Sequence, residues 1–537
     1  MGYTIKKGLV MFMRMNKVLA GVASLMLALS PMVVCAEDTV YATDVNGNNY
    51  TSITDAWSAA CNGTEITMSQ DWILESSLET GQNQTITINM NGHKIDRNRN
   101  NKTVSDGEVV YLDKNSNLTF NGSTGDTAFN FNGYSSSGNY KSYSLKSGGL
   151  ITGGTCIDMG GGIHMKDNSS LTLNHIAVAG NKSYDTFDGD GSGGGINMCN
   201  DNCTVTLKNA LVEYNYASLL GGGIYSDGEN SKIILDSSEV SYNLSKQGGG
   251  IYSDASGMSI VLSNSSGINN NTADWGGGVY FENTNYSIKS ADEDTNKFKN
   301  KIYNNTANVN GGAISSDFEA FSSNSGEISG LSIEHNTCCH SNGNAGAIWI
   351  SLENVKISNC YFTNNTSYGN GGAIYIYNDG TIIENCEFRY NKAEKEGGGI
   401  YCDEDYDVTL SGRVIIKGNK RSGDVSDDLF LQSAWYSTAY VEGEVTSGSE
   451  VGIRTADDGE IKIGKNISSD CSNYFFLNDS GNYHVSYEDG KLYKREGLTG
   501  SIFGNGNTII AACVMAGIVV IGVIFLVVNK KKNQGKA

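Results

Sequence analysis

The chain has 537 residues, with 58 acidic against 38 basic side chains and a formal charge of −20 at pH 7. A charge of this sign disfavours nucleic acid and anionic membrane surfaces as partners. One proline stands against 67 glycines, which suits nearly continuous parallel β ladders because proline has no N–H to donate to them.

The N-terminal region predicts an export leader. Four basic residues precede an apolar run from Val18 to Leu29, and small-residue patterns that end at Ala36 or Ala42 follow it. This order of charge, apolar run and small residues is typical of a secretory signal. We therefore expect residues 1–42 to form a signal peptide that is cleaved after residue 36 or 42.

Residues 43–155 are expected to form an N-terminal cap and the first coils of a solenoid. The segment from Ile53 to Cys61 predicts a short amphipathic helix. Solenoids need an atypical end unit to close their core, so this helix is the candidate cap. Apolar alternation in 85–95 and 109–120 predicts early β coils.

Residues 156–410 contain a repeat that predicts the fold. A small-small-small-apolar motif, most often Gly-Gly-Gly-Ile-Tyr, occurs nine times at intervals of 26 to 35 residues. Its apolar residues are Ile163, Ile196, Ile224, Ile251, Val279, Ile314, Ile348, Ile374 and Ile400. Upstream of the glycines most copies carry an asparagine, at Asn181, Asn215, Asn243, Asn271, Asn305, Asn336, Asn365 and Asn391.

Each repeat predicts one coil of a stacked, parallel β-structure. It contains two or three short alternating runs and no helical period. Strands this short cannot pair within their own repeat, so we expect each to pair with its equivalent in the next copy. The asparagines are expected to bond the turn backbone of neighbouring coils, and the glycines to allow close backbone approach.

The repeats resemble those of the polymorphic outer-membrane protein family. The resemblance is carried by the Gly-Gly-Ala-Ile type of motif together with Phe362-Thr363-Asn364-Asn365 and Phe388-Arg389-Tyr390-Asn391. It covers roughly residues 157–401. The resemblance implies a right-handed parallel β-helix that acts as a surface adhesin.

The residue after each apolar position is expected to face outward, because side chains alternate along a strand. These residues are Tyr225, Tyr252, Tyr280, Trp349, Tyr375 and Tyr401, with Ser315 interrupting the series. They predict an aromatic strip along one face, which we interpret as a candidate ligand-binding strip for glycans. Simple ladder stacking is the alternative, since tyrosine is favoured in strands.

Metal, cofactor and catalytic sites are not predicted. Asp185, Asp188 and Asp190 match the opening of a calcium loop, but Cys199 stands where its closing glutamate belongs. Cys338, within a possible zinc cluster, occupies a slot that holds alanine or serine in other repeats. A polysaccharide lyase or hydrolase is the alternative class for a β-helix, yet Asp427-Asp428 is isolated from the partner groups that such chemistry needs.

Ten cysteines follow the leader, and an exported protein can form disulfides. Cys199 and Cys203 could close a small loop. Cys360 and Cys386 hold matching positions one repeat apart, at an expected separation of about 4.8 Å, which is within bridging range. Stacked free thiols are the alternative for this second pair.

The C-terminal region predicts a membrane anchor. Closing coils are expected over 411–492 and a linker over 493–507. Residues 508–528 carry no charge and are long enough to span a bilayer as a helix. The basic tail 529–537 is expected in the cytoplasm, with the rest of the chain outside the cell.

The sequence thus predicts an all-β, right-handed parallel β-helix with a short N-terminal capping helix and one C-terminal transmembrane helix. We expect a single-pass cell-membrane protein that binds glycans or a surface protein, without a cofactor. A polysaccharide-active enzyme and a structural envelope rod are the alternatives.

Overall fold

A computed structural model describes residues 39–98, 107–135, 137–157, 159–184, 191–292, 299–317, 324–404, 406–432, 440–457, 460–478 and 483–497. Among these residues, no helix is long and apolar enough to cross a membrane. Residues 1–38 of the predicted leader, the predicted spanning segment 508–528 and the tail 529–537 lie outside the described residues.

The strands form four rows, and each row takes one strand from successive coils. The motif row contains Leu78–Glu79, Val110–Leu112, Ile163–Met165, Ile196–Met198, Ile224–Ser226, Ile251–Ser253, Val279–Glu282, Ile314–Asp317, Ile348–Ile350, Ile374–Ile376, Ile400–Cys402, Leu429–Leu431 and Phe475–Leu477. The alternating row contains Ala42–Asp44, Ile66–Met68, Thr85–Asn89, Asn117–Asn121, Ser170–Asn174, Thr204–Lys208, Lys232–Asp236, Met258–Ser263, Tyr286–Ser290, Gly326–Ser329, Val355–Ser358, Thr381–Glu384, Asp407–Ser411, Tyr440–Glu442 and Ile461–Gly464.

Two further rows flank the turn that carries the repeated asparagine. The pre-turn row contains Trp72–Ile73, Lys94–Asp96, Leu150–Thr152, Ala177–Ala179, Leu211–Glu213, Glu239–Ser241, Gly267–Asn269, Lys301–Tyr303, Ser332–Glu334, Tyr361–Thr363, Glu387–Arg389, Ile415–Ile416 and Glu450–Thr455. The post-turn row contains Thr155–Ile157, Lys182–Tyr184, Tyr216–Ala217, Thr272–Trp275, Thr306–Asn310, Thr337–Cys338, Thr366–Ser367, Lys392–Ala393 and Lys420–Arg421.

Apart from the antiparallel pair Ala42–Asp44 and Ile66–Met68 at the start of the alternating row, the rows are parallel ladders in the register that the repeat predicts. Ile196 pairs with Ile224, and Ile224 pairs with Ile251. The expectation of an all-β chain whose strands pair from coil to coil is therefore confirmed. Two or three strands per repeat were expected, but a coil such as 196–217 has four because the asparagine turn divides the last strand in two. The hand of the coil stays a prediction.

The core lies inside the coils and is filled by the alternating apolar residues. Val205 and Leu207 of one strand are fully buried, as are Ile233 and Leu235 in the next coil. Identical positions therefore stack on one another along the solenoid. Each coil buries apolar surface against its two neighbours, which is how repeat proteins gain stability.

The glycine motif makes the turn before each motif strand. Gly221 has φ +60°, a conformation that glycine adopts without strain. A Cβ atom on Gly222 would lie 2.6 Å from the carbonyl oxygen of Gly249 in the next coil. The glycines are thus required by backbone conformation and by close stacking of the coils.

The predicted capping helix is confirmed as Ile53–Cys61. It begins because the Ser52 hydroxyl accepts a hydrogen bond from the Asp55 backbone N–H at 3.0 Å. Ala56, Trp57 and Ala60 face the main core and are buried. The Trp57 indole N–H donates to the Glu79 carbonyl at 2.8 Å, which ties the helix to the first strand of the motif row.

The first strand that the structure describes is part of the N-terminal cap. Ala42–Asp44 pairs with Asn49–Tyr50 and with Ile66–Met68, both antiparallel, and Ala42 is fully buried. The Tyr41 carbonyl accepts from the Trp72 indole at 3.2 Å. Of the two cleavage positions expected from the sequence, the one after residue 42 would remove these contacts and the one after residue 36 would keep them.

A β-hairpin, Thr127–Tyr134 with Tyr140–Ser147, interrupts the early coils and lies against the solenoid. The Tyr143 and Tyr214 rings stack at 4.0 Å between centroids, and the Tyr134 and Tyr216 rings stack at 4.5 Å. Nothing in the repeat pattern predicted this arm. At the other end, two antiparallel strands, Tyr483–Glu488 and Lys491–Glu496, close the alternating row.

Candidate functional site

The repeated asparagines form a buried ladder along the inside of the turn. The Asn243 Nδ2 donates to Asn271 Oδ1 at 3.1 Å, and the Asn243 backbone N–H donates to the same oxygen at 3.0 Å. The same Nδ2 also donates to the carbonyl of Val212 in the preceding coil at 2.8 Å. The pattern repeats at Asn181, Asn215, Asn271, Asn305, Asn336, Asn365, Asn391 and Asn419. The structural role expected of these residues is confirmed.

Asp428 ends this ladder, which explains the acidic pair that was considered for catalysis. Its Oδ1 accepts from Asn419 Nδ2 at 2.9 Å and from the Asn419 backbone N–H at 2.8 Å. Asp427 is fully buried and accepts two hydrogen bonds from Arg454, at 2.7 and 2.9 Å. Both carboxylates are therefore engaged in holding the C-terminal coils together.

The residues after the motif position form one outward ladder, in which Asn197 and Ser315 interrupt the aromatic rings. Each member pairs with the next one along the motif row. In chain order the members are Glu79, Tyr111, His164, Asn197, Tyr225, Tyr252, Tyr280, Ser315, Trp349, Tyr375, Tyr401, Phe430 and Arg454. The expected stacking is thus present, and the ladder extends beyond the six aromatic residues picked from the sequence. Arg454 closes it with its guanidinium 4.2 Å from the centre of the Phe430 ring.

The first part of this ladder is covered. Tyr225, Tyr252 and Tyr280 stack at 5.5 Å between neighbouring centroids, with their planes within 9° of parallel. Leu220 and Trp275 pack against them, and the three tyrosines are only 2–6 % exposed. Tyr375 and Tyr401 are also buried. The expectation that these five tyrosines form an accessible strip is therefore wrong, because neighbouring rings and flanking side chains cover their faces.

Carboxylates beside the ladder fix the tyrosine hydroxyls. The Tyr252 hydroxyl donates to Glu282 at 2.5 Å, the Tyr280 hydroxyl to Asp317 at 2.5 Å and the Tyr375 hydroxyl to Asp403 at 2.6 Å. Burial, reinforced by these carboxylates, raises the pKa of all three phenols. The hydroxyls thus remain protonated donors at any physiological pH.

Beside the second part of the ladder lies an aromatic cluster, which we call the aromatic terrace: Trp349, Tyr375, Tyr377, Tyr401 and Tyr406. Tyr375 and Tyr401 form its buried base, and Trp349 and Tyr377 are its accessible rings. Trp349 stacks on Tyr375 at 4.7 Å and on Tyr377 at 5.7 Å between centroids. Trp349 is partly exposed, and Tyr377 is 46 % exposed. The Trp349 indole donates to Asp317 at 2.8 Å, which fixes the orientation of its ring. Sequence reasoning found Trp349 but missed Tyr377, which follows the motif strand at a position held by serine or an acid in neighbouring coils.

Cys199, Cys203, Cys360 and Cys386, the candidates for two possible disulfides, are free thiols. The Cys199 thiol donates to Asn200 Oδ1 at 3.2 Å, and the Cys203 thiol to the Lys166 carbonyl at 3.2 Å. Cys360 and Cys386 are buried, stacked one coil apart, and each donates to a backbone carbonyl two residues before it. Burial and the neighbouring Cys360 raise the pKa of Cys386, which keeps it a thiol. The stacked-thiol alternative describes this pair.

The acidic and Cys/His clusters do not form a metal site within the described residues. Asp185, Asp188 and Asp190 lie outside the described residues. Cys338 pairs with Ala307 and Ser367 in the post-turn row, in the slot expected for it. Within the described ranges, no group of three or more His, Cys, Asp or Glu side chains is arranged to hold a metal ion.

The fold and the ladders define a solenoid of parallel β coils that presents long repetitive faces. Residues 359–377 and 385–403 match the family model of the Chlamydia polymorphic membrane protein repeat. These two segments contain the ladder residues Asn365 and Asn391 and the outward residues Tyr375 and Tyr401, so the resemblance stated from the sequence is confirmed there. Among curated proteins and among solved structures, nothing matches the chain.

Proposed function

We propose that the chain is an adhesin-like cell-surface protein that binds glycans through the aromatic terrace. The observation that carries this proposal is the accessible pair Trp349 and Tyr377, which stack on each other beside the buried rings of Tyr375 and Tyr401. An exposed apolar patch on an otherwise polar rod marks an interaction site. The matched polymorphic membrane protein repeats and the predicted export leader both support a surface location.

The chemistry of the terrace suits sugars. Flat aromatic faces pack against the C–H faces of pyranose rings, and the ring edges carry polar groups for hydroxyls. Asp317 and Asp403 lie at the edge of the terrace and already orient Trp349 and Tyr375. Rings held in this way lose little conformational freedom on binding, which favours affinity.

The test is binding of the full-length protein, in detergent solution, to an array of neutral and acidic glycans. The double variant Trp349→Ala/Tyr377→Ala is expected to lose at least tenfold in affinity. Tyr390→Ala is the matched control because Tyr390 is 65 % exposed but lies in the turn before the asparagine ladder. Thermal unfolding confirms that each variant is folded.

Two results would contradict this proposal. Full affinity in the double variant would exclude the terrace as the site. A parent protein that binds no glycan would favour a protein ligand or a structural envelope rod. Release of products from uronic-acid polymers would instead indicate the enzyme alternative.

A further inference from the structure

The pre-turn row has a notch where Gly267 interrupts a line of outward side chains. Glu239 precedes Gly267 in the register and Lys301 follows it. The resulting cavity has a volume of about 460 Å³, and its lining includes Glu239, Ser265, Lys299, Lys301 and Tyr303. Pockets of about 300–1,000 Å³ are the usual size for small ligands.

The glycine is not required by the backbone at this position. Gly267 lies in the extended strand Gly267–Asn269 and does not adopt a positive φ. The neighbouring coils carry glutamate and lysine at the same place in the same row. Glycine at this position therefore leaves space on the surface, and the backbone conformation of the strand does not require it.

An unsatisfied hydrogen-bond donor lies beside Gly267, where a side chain at that position would meet it. A Cβ atom on Gly267 would lie 3.1 Å from Asn269 Nδ2 and 3.2 Å from Tyr303 Cε1. Asn269 is 1 % exposed, and its Nδ2 has no hydrogen-bond partner in the structure. Because buried amide groups are nearly always paired, this donor points to a ligand that completes it.

The two ends of the notch have opposite charge. Glu239 lies one coil before the glycine, and Lys299 and Lys301 lie on the coil after it, so the charges are separated by about 10 Å, or two coil spacings. Lys301 forms an ion pair with Glu334 at 2.6 Å. Lys299 is exposed and, within the described ranges, makes no ion pair. The free charges are therefore a carboxylate at one end and an ammonium at the other.

We propose that this notch binds a single carboxylated sugar residue of the hexuronate class. The ligand carboxylate pairs with Lys299, and its hydroxyls donate to Glu239 at the opposite end. Asn269 Nδ2 donates to an oxygen of the sugar, and the Tyr303 ring packs against its C–H face. The site lies on the pre-turn row, whereas the aromatic terrace lies on the motif row, so it stands independently of the terrace.

The experiment titrates the full-length protein with glucuronate, glucose and acetate and follows binding by saturation-transfer NMR. Glucuronate is expected to bind at least tenfold more tightly than glucose or acetate. Gly267→Val fills the notch and should abolish binding, and Lys299→Gln should weaken it at least fivefold. Tyr361→Val, three coils away in the same row, is the control and should leave binding unchanged.

Each other outcome overturns the proposal. Absence of glucuronate binding, or parental affinity in Gly267→Val, would show that the notch is not the site. Equal binding of acetate would reduce it to a simple anion site. Lys299 is exposed, so Lys299→Gln remains informative even if Gly267→Val fails to fold. The terrace double variant should bind glucuronate like the parent, which separates failure here from failure of the terrace.

Discussion

At the scale of single residues, the asparagine ladder carries the heaviest hydrogen-bond load in the coils. Asn271 makes four side-chain bonds: it accepts from Asn243 N and Nδ2 and donates to the Val240 carbonyl and to Asn305 Oδ1. All these groups are shielded from water, so none finds a substitute partner if the side chain is removed. A buried polar group left unpaired costs about 1–3 kcal/mol.

Asn271→Ala should therefore lower the free energy of unfolding by about 3–5 kcal/mol, because several buried groups lose their partner together. Denaturant unfolding of the full-length protein measures this loss. Asn304→Gly is the control, since Asn304 is an exposed turn residue with φ +55° that glycine replaces without strain. A loss below 1 kcal/mol for Asn271→Ala would mean that the ladder is not a main source of stability.

Glu213 predicts a dependence of stability on pH. Burial, with Glu239 nearby, raises the pKa of Glu213 from 4.5 to about 7. Between these two pH values the folded chain holds a proton that the unfolded chain has released, so the free energy of unfolding falls as pH rises through this window. Above it, the buried charge costs roughly 3 kcal/mol.

Glu213→Gln should remove this dependence and raise the melting temperature at pH 8, while changing little at pH 4.5. Glutamine keeps the size of the side chain and still accepts a bond from Ser241. Melting temperatures of the variant and of Glu229→Gln, an exposed control, measured from pH 4.5 to 8, test the assignment. A parental slope in Glu213→Gln would show that another group titrates.

At the scale of elements, the first strand leads to a prediction about where the expected leader ends. Tyr41 and Ala42 belong to the N-terminal cap through Ala42–Asp44 and the Trp72 indole. The mature protein should therefore begin at Glu37, and N-terminal sequencing of the exported protein checks this. A start at Thr43 would contradict it, because that chain lacks the residues that cover the end of the core.

Much of the fold could be predicted because every repeat carries the same pattern of glycines, asparagine and alternating apolar residues. Local signals such as periodic apolar spacing and short-range capping can be recognised in a sequence. They were enough to predict the motif isoleucines, the asparagine turn and the capping helix. The burial of Tyr252 could not be predicted. Alternation shows which face of the strand a residue takes, but it does not show that Leu220 and Trp275 cover that face. Tyr377 and the Gly267 notch fall outside the repeated motif, and so does the hairpin Thr127–Tyr134 with Tyr140–Ser147.

At the scale of the whole molecule, the solenoid is close to one-dimensional. Most of the strand pairing of a coil is with the coil before it and the coil after it. Stability in such proteins is approximately a sum over units and their interfaces. The number of coils, and with it the length of the solenoid, can therefore change without a change of fold.

Deletion of residues 243–270 tests this directly. It removes one whole coil of 28 residues, from one ladder asparagine up to the residue before the next, and joins Tyr242 to Asn271. Tyr225 would then stack on Tyr280, and Asn215 would bond Asn271 in the existing register. We expect a folded protein that is shorter by about 4.8 Å and that melts within a few degrees of the parent. The half-coil deletion 257–270 is the control: it removes only two of the rows, so the remaining strands cannot keep their register. If circular dichroism showed both deletions folded, or neither, the coil would not be the structural unit.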